Sequence, residues 1–143
     1  MTIDLPDVNV LAALHLSGHP HRLIARAWFD AADGLATTPM TQAGLLRMLL
    51  NPRLVADPNP LAARQALAAL LATPGVVFWP DDTRQVGATA FMYALTGHGQ
   101  VTDLHLLAVA AAHGARLVTL DSRIEASLRP KDRKHLYVLP ATS

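Results

Sequence analysis

The stretch of sequence that decides the fold is "DLHLLAVAAAHGARLVTLD", residues 103–121. The part from Asp103 to Gly114 predicts a helix, because its residues are apolar helix formers and a glycine commonly stands just beyond a helix end. The next part, "RLVTLD" at 116–121, is apolar with β-branched residues, and it predicts a buried strand. A helix followed at once by a buried strand is typical of an α/β domain with a parallel sheet.

The same alternation continues outward from this stretch. We expect further strands at 3–6, 34–38, 76–80 and 135–140. We expect further helices at 8–17, 19–32, 40–50, 61–73, 83–96 and 123–128, and a loop in the proline-rich segment 52–60. This pattern predicts one α/β domain, residues 1–143, with helices on both faces of a mainly parallel sheet. In such sheets ligands bind beyond the carboxyl ends of the strands, where the strand order reverses.

The composition restricts the class of protein. A chain of 143 residues with 51% hydrophobic residues is large enough for one sizeable core. It has no cysteine, which excludes disulfides and thiolate metal sites and fits a reducing cytoplasm. The net charge of +1 gives no general attraction to nucleic acid, so any such binding depends on a local basic patch. Because neither a signal peptide nor a membrane-length apolar run is apparent, we expect a cytoplasmic protein that does not enter a membrane.

Three carboxylates fall at one edge of the predicted sheet. Asp7 follows the first strand, Asp121 ends the strand at 116–121, and Asp103 begins a helix. Taken singly, each aspartate is explained more simply as a helix N-cap. Taken together, three carboxylates within about 4–6 Å raise one another's pKa, and a hard divalent cation such as Mg²⁺ removes that repulsion. A metal bound there activates water and stabilises charge on a phosphate, which points to phosphodiester hydrolysis.

Three motifs resemble the PIN-domain ribonucleases, and in particular the VapC-type toxins. They are "PDVNVL" (6–11), "TPMTQAGLLRML" (38–49) and "VTDLHLLAVAAAHGARLVTLD" (101–121), in the order and spacing of that family. The segment "HPHRLIARAWF" (19–29) is also similar to the second helix of these toxins. The resemblance implies a three-layer α/β/α sandwich with endoribonuclease activity that depends on Mg²⁺ or Mn²⁺. It further implies a homodimer, and a cognate antitoxin whose C-terminal segment wraps the toxin and blocks its site.

The resemblance also assigns roles to individual residues. Asp7, Asp103 and Asp121 match the first, third and fourth metal-binding acids of the family. Asn9 matches a polar residue that supports the first acid, and Thr119 matches the hydroxyl residue that precedes the last acid. The three aspartates are therefore the expected catalytic and metal-binding residues, and the other two are expected to support them.

The second acid of the family is replaced in this chain. The family commonly has Glu where Gln42 stands. Glutamine is a neutral oxygen donor that cannot act as a base, so it should weaken metal affinity and shift acid–base work onto Asp7 or a metal-bound water. This departure leaves an alternative function open, namely a weakly active or inactive PIN-like module that binds RNA or a protein.

Other polar residues have two interpretations. Arg47, near the end of its helix, either reaches an RNA phosphate or is a favourable cation at the helix C-terminus. The basic run "RPKDRKH" (129–135) either contacts an RNA backbone or is a solvated loop. His98, His105 and His113 do not have the i, i+4 spacing that would place them on one helix face, and we expect no zinc site.

An apolar surface extends over the two predicted helices at 40–50 and 61–73. Its leucines either belong to the core or stay partly exposed for an antitoxin or a second subunit, because large exposed apolar patches mark interaction sites. Trp28 and Phe29 are candidates for the same groove.

Overall fold

The computed structural model describes residues 2–81 and 90–140. Its strands are β1 (Leu5–Pro6), β2 (Leu35–Thr37), β3 (Val76–Phe78), β4 (Leu117–Thr119) and β5 (Leu136–Val138). Its helices are α1 (Val8–His15), α2 (Arg22–Ala31), α3 (Pro39–Leu49), α4 (Pro60–Ala72), α5 (Val101–Ala112) and α6 (Arg123–Ser127). Short 3₁₀ turns occur at Met92–Ala94, His98–Gln100 and Pro130–His135. The predicted alternation of strands and helices is confirmed, with element ends shifted by about three residues or fewer outside 83–96.

The five strands are parallel and lie in the order β3-β2-β1-β4-β5. Leu117 of β4 is in register with Leu5 of β1 on one side and with β5 on the other. The pair β2–β3 joins this group at a bridge between Asp4 and Leu35, where the Ala36 N–H donates to the Asp4 carbonyl at 2.9 Å. After β3 the chain crosses to the far side of β1. The strand order therefore reverses between β1 and β4, which is where such sheets bind ligands.

The two faces of the sheet support separate cores, because neighbouring residues of a strand point to opposite faces. On one face, Leu5 and Leu117 pack with the buried residues of α5. On the other face, Val118 packs with Leu11 of α1 and Leu45 of α3. Helices thus cover both faces, and the domain is a three-layer α/β/α sandwich as predicted.

The helix α5 is buried around most of its circumference. Leu104, Leu106 and Leu107 are each at most 1% exposed, although they point in different directions around the helix. This burial explains why the sequence of α5 is almost continuously apolar. Among the helices of residues 2–81 and 90–140, none has the combination of length and apolar character that a bilayer span requires.

Two helices begin at the carboxyl edge of the sheet with a polar cap. The Asp7 carboxylate accepts the Val10 N–H at 2.9 Å and caps α1. Thr38 and Thr41 bond reciprocally in a capping box at the start of α3. Asp103 does not cap α5, contrary to the prediction, because that helix begins two residues earlier and places Asp103 in its first turn.

The helix predicted at 83–96 is only partly covered by the structure. Residues 82–89 lie outside the described residues. The described remainder is a 3₁₀ turn at Met92–Ala94 rather than an α-helix, so this part of the prediction is wrong. Because side chains three residues apart are aligned in a 3₁₀ turn, Phe91 and Ala94 both enter the core.

The starts of β2 and β3 approach closely at two glycines. The Leu35 N–H donates to the Gly75 carbonyl at 3.1 Å. A Cβ atom on Gly34 would lie 2.2 Å from that same carbonyl oxygen, and Gly75 itself has a φ of +87°. The register of this strand pair therefore depends on the absence of side chains at both positions.

We predict that Gly34→Ala lowers the free energy of unfolding by about 1–3 kcal/mol, because the new methyl group forces the two strand starts apart. Urea denaturation measures this change. Gly18→Ala is the matched control, since nothing lies within 4 Å of a Cβ at that position. Equal unfolding midpoints for the two variants would contradict the proposed close approach.

Candidate functional site

The switch point between β1 and β4 brings two aspartates to one edge of the sheet. Asp7 directly follows β1, and its N–H donates to the Val118 carbonyl of β4 at 2.9 Å. Asp121 lies two residues beyond the end of β4. Asp103 reaches the same region from the first turn of α5, where it experiences the charges of both other aspartates. The structure therefore brings together the three acids that the sequence predicted.

Asp7 has a rigid and buried carboxylate. Its residue is 3% exposed, its carboxylate accepts the backbone N–H of Val10 at 2.9 Å, and hydrogen bonding from the Thr119 side chain lowers its pKa. Burial raises the pKa of Asp7, these hydrogen bonds lower it, and the charge of Asp121 adds a further rise, with the net change upward. Asp7 is thus both the N-cap of α1 and a member of the acidic cluster.

Asp103 is the most strongly perturbed group of the cluster. Burial raises its pKa to about 6, with further contributions from the charges of Asp7 and Asp121. The Arg123 guanidinium opposes this rise. A carboxylate that is destabilised by two like charges gains more than an isolated one from a nearby cation.

Asp121 is paired with Arg123. The guanidinium Nε lies 3.0 Å from Oδ1 and Nη2 lies 2.8 Å from Oδ2, and the Arg123 backbone N–H donates to Oδ1 at 2.9 Å. This pairing holds the pKa of Asp121 below its ordinary value. The Arg123 side chain is 85% exposed, so the pair is well hydrated and costs little to open.

Thr119 connects two of the acids, as its predicted supporting role requires. Its hydroxyl oxygen accepts the Asp121 N–H at 3.1 Å, and its side chain is near enough to Asp7 to lower the pKa of that carboxyl. Thr119 is fully buried, because it is the last residue of β4 and faces inward. One side chain therefore fixes the carboxylate of Asp7 relative to the backbone that carries Asp121.

The donor set fits a hard divalent cation in its chemistry. It consists of carboxylate oxygens that repel one another, and carboxylates are preferred ligands of Mg²⁺ and Mn²⁺. Within residues 2–81 and 90–140, no three acidic or histidine side chains already stand close enough together to hold an ion. Both carboxylate oxygens of Asp121 accept hydrogen bonds from Arg123.

The other residues that the sequence analysis singled out lie on the helices α1 and α3. Gln42 is in the first turn of α3, and its amide donates to the Thr37 hydroxyl at 3.0 Å at the end of β2. Asn9 is exposed and borders a shallow cavity that Asp121 also lines. Arg47 lies in the last turn of α3, at the opposite end of the helix from Gln42, which favours its interpretation as a helix C-terminal cation.

A cavity of about 370 Å³ opens beside the acids. Asp103 and Asp121 form part of its wall, and Thr96 and Ser127 also line it. Two larger cavities of about 550 and 540 Å³ lie elsewhere, one beside Trp28 and one beside the chain after α1. The chemistry favours the smaller cavity, because it alone among these three contains Asp103 and Asp121.

Sequence reasoning missed two polar pairs near the site. One is the pair of Arg123 with Asp121. Its only indication in the sequence is that a basic residue stands two positions after the last acid. The other links α5 to α3, since His105 Nε2 lies 3.5 Å from an Asp81 carboxylate oxygen and the other oxygen accepts the Met40 N–H at 3.1 Å. This second pair holds the helix that carries Asp103 near the start of α3.

Comparison with known families gives a match over most of the chain. The family model described as "PIN domain" matches residues 5–127. Ribonuclease VapC39 of Mycobacterium tuberculosis strain H37Rv is 42% identical over 124 residues, which cover 84% of this chain and 89% of that protein. Ribonuclease VapC38 of the same strain is 41% identical over 140 residues, which cover 94% of this chain and 98% of that protein.

A solved structure shows a similar fold. The crystal structure of Mycobacterium tuberculosis VapC20, described as a sarcin–ricin loop cleaving toxin, aligns with a TM-score of 0.62 and 19% sequence identity. The alignment covers 90% of this chain and all of that chain. At this level of identity the likeness supports the fold alone, and it agrees with the three layers described above.

The raised pKa of Asp103 predicts a pH-dependent stability in the absence of metal. Because its pKa is about 6 in the folded protein and 3.8 is the ordinary value, the folded state binds more protons between these values. The stability that this group contributes is therefore present at low pH and is lost as the pH rises through about 6. We predict that Asp103→Asn is more stable than the wild type at pH 8 by on the order of 1–2 kcal/mol.

Urea denaturation in EDTA across pH 5 to 8 measures this difference. Asp30→Asn is the control, since Asp30 is an exposed carboxylate in a surface pair with Arg26. The stability difference between wild type and Asp103→Asn should grow with pH, whereas that for the control should not. A difference that stays constant over this range would contradict the raised pKa of Asp103.

Proposed function

The chain belongs to the PIN-domain family and, within it, to the VapC ribonucleases, and on this premise we propose that it is a metal-dependent endoribonuclease. It acts as the toxin of a toxin–antitoxin pair and hydrolyses RNA phosphodiester bonds. The observation that carries the proposal is the group of three electrostatically coupled aspartates at the switch point of the sheet. It occurs in a chain that is 41–42% identical to named ribonucleases over most of its length.

Asp7, Asp103 and Asp121 would hold Mg²⁺ or Mn²⁺. When bound, the ion supplies a water that ionises near neutral pH and stabilises the charge that develops on the phosphate. Asp7 provides a fixed oxygen, because the Val10 N–H and Thr119 restrain its carboxylate. Asp103 and Asp121 lie on the cavity wall, where a scissile phosphate can approach them. Arg123, once released from Asp121, is a cation at the mouth of the same cavity and can bind that phosphate.

Gln42 is the residue that favours the alternative, a PIN-like module without catalysis. Its amide N–H donates to the Thr37 hydroxyl, and its side chain brings no negative charge to the edge of the sheet. The three aspartates remain available without it, and the ribonuclease names of the full-length relatives support the enzyme. We therefore place Gln42 at the border of the site, where it tunes metal affinity.

The proposed partners are an RNA substrate, a cognate antitoxin and a second copy of the chain. The apolar surface predicted over α3 and α4 is divided between core and solvent. Leu45 is buried, whereas Leu61 and Leu71 are 55% and 40% exposed. Trp28 is 8% exposed and belongs to the core, so its predicted place in a docking groove is wrong. The exposed leucines support a protein-covered face, and the absence of cysteine supports a cytoplasmic location.

We predict that Asp7→Asn and Asp103→Asn each reduce RNA cleavage by about 100-fold or more, as expected for the loss of a group that stabilises transition-state charge. Asparagine at position 7 keeps an oxygen that can accept the Val10 N–H, so the cap of α1 should survive. Cleavage of a labelled RNA in Mg²⁺ or Mn²⁺ measures the effect, and Asp30→Asn is the control. Cleavage within a few fold of wild type in both variants would rule the site out.

We predict that Gln42→Glu raises Mn²⁺ affinity by about 3- to 10-fold, or roughly 1 kcal/mol, because it restores a negative charge at the edge of the sheet. The Thr37 hydroxyl can donate to the new carboxylate, so the local hydrogen bond should be kept. Titration calorimetry measures the affinity, and cleavage assays measure the activity. If neither form cleaves RNA in Mg²⁺ or Mn²⁺, the binding-module alternative is favoured.

A further inference from the structure

An acidic site that acts on RNA needs cations nearby, because its carboxylates repel the phosphates of the substrate. The net charge of +1 means that the whole chain does not supply this attraction. A local concentration of cations exists in one segment. Four of the 12 Lys and Arg residues fall within six positions, 129–134, and all four are exposed: Arg129, Lys131, Arg133 and Lys134.

This basic segment follows in sequence the chain that lines the cavity of Asp103 and Asp121. Ser127 lines the cavity, and Arg129 follows it two residues later. Thr96 lines the same cavity, and Tyr93, three residues earlier, contacts Arg129. The chain segments on both sides of the cavity therefore lead from its wall to the same cationic surface.

Arg129 is held in a defined position although it is exposed. Its guanidinium carbon lies 4.0 Å from the centre of the Tyr93 ring. The Arg129 backbone N–H donates to the Tyr93 hydroxyl at 3.0 Å, and that hydroxyl donates to the Asp132 carboxylate. A guanidinium that is held over a ring can offer its other face to a nucleobase and its edge to a phosphate. Flexible lysines at a solvated surface do not have this fixed geometry.

We propose that the surface formed by Tyr93, Arg129, Lys131, Arg133 and Lys134 binds single-stranded RNA beside the bond that the enzyme cleaves. This inference rests on the proposed ribonuclease function, to which it adds the place and the kind of substrate contact. Arg129 on Tyr93 stacks with one base, and the other cations contact the backbone. Stacking of this kind tolerates any base, so the surface contributes affinity rather than sequence specificity.

Fluorescence anisotropy with a fluorescein-labelled, unstructured 20-nucleotide RNA tests the proposal. Binding is measured in EDTA, where metal-dependent cleavage does not occur, at several salt concentrations. The double variant Arg133→Gln/Lys134→Gln should weaken binding by about 5-fold or more at low salt. It should also reduce the slope of log Kd against log salt by about 0.7 for each RNA phosphate that the two side chains neutralise in the wild type. The control Arg53→Gln/Arg64→Gln removes the same charge from exposed positions in another part of the fold and should change Kd less than 2-fold.

A second pair of variants tests the stacked arginine. Arg129→Lys keeps the charge and loses the planar guanidinium, so it should lower the RNA affinity with little change in the salt slope. Arg129→Gln also loses the charge, so it should lower both the RNA affinity and the salt slope. The backbone N–H that bonds Tyr93 is retained in both variants. Circular dichroism and thermal unfolding confirm that the variants are folded.

The outcomes separate this inference from the proposed function. Loss of RNA binding in the basic-segment variants supports the inference even if the wild type fails to cleave RNA in Mg²⁺ or Mn²⁺, a failure that would instead contradict the proposed function. An unchanged affinity and salt slope in all of these variants would overturn the inference even if cleavage is intact, and would assign the surface to a protein partner. The absence of any RNA binding by the wild type in EDTA would overturn it as well.

Discussion

The burial of two carboxylates, Asp7 and Asp103, close to the charge of Asp121 at the junction of β1 and β4 is the constraint on which the rest of the site depends. Parallel strands place their carboxyl ends at one edge, and the reversal of strand order opens a gap there. Asp7 and Asp121 come to that gap from the strands, and Asp103 comes from a helix that packs across it. The fold thus assembles an unfavourable group of charges, which only a cation or protonation relieves.

Two groups of cations lie near these carboxylates, one in direct contact and one farther away. Arg123 lies directly against Asp121 and neutralises one acid of the cluster. The basic segment at 129–134 begins two residues after Ser127 of the cavity wall, and its four cations are exposed.

The sequence predicts the layers of the fold and two of the three acids at their correct places. Asp7 and Asp121 follow apolar strands, and the carboxyl end of a strand is defined by the strand itself. Asp103 was predicted wrongly as a helix cap, because the start of α5 is set by packing of a helix that is apolar on all sides. The order of the strands was not predicted, since it depends on the bridge between Asp4 and Leu35 and on no local pattern. Arg123 and the Tyr93–Arg129 stack were missed because contacts between exposed residues have no periodicity.

The central claim is that the three aspartates share one divalent cation, and proton release during Mn²⁺ binding tests it most directly. At pH 6, a carboxyl with a pKa of about 6 is half protonated and must lose that proton when an ion binds. Calorimetric titration in buffers of different ionisation enthalpy counts the protons. The account predicts that Asp103 releases about half a proton per ion in the wild type, and that Asp103→Asn shows both weaker binding and less proton release. Equal Mn²⁺ affinity and equal proton release in the two proteins would contradict it.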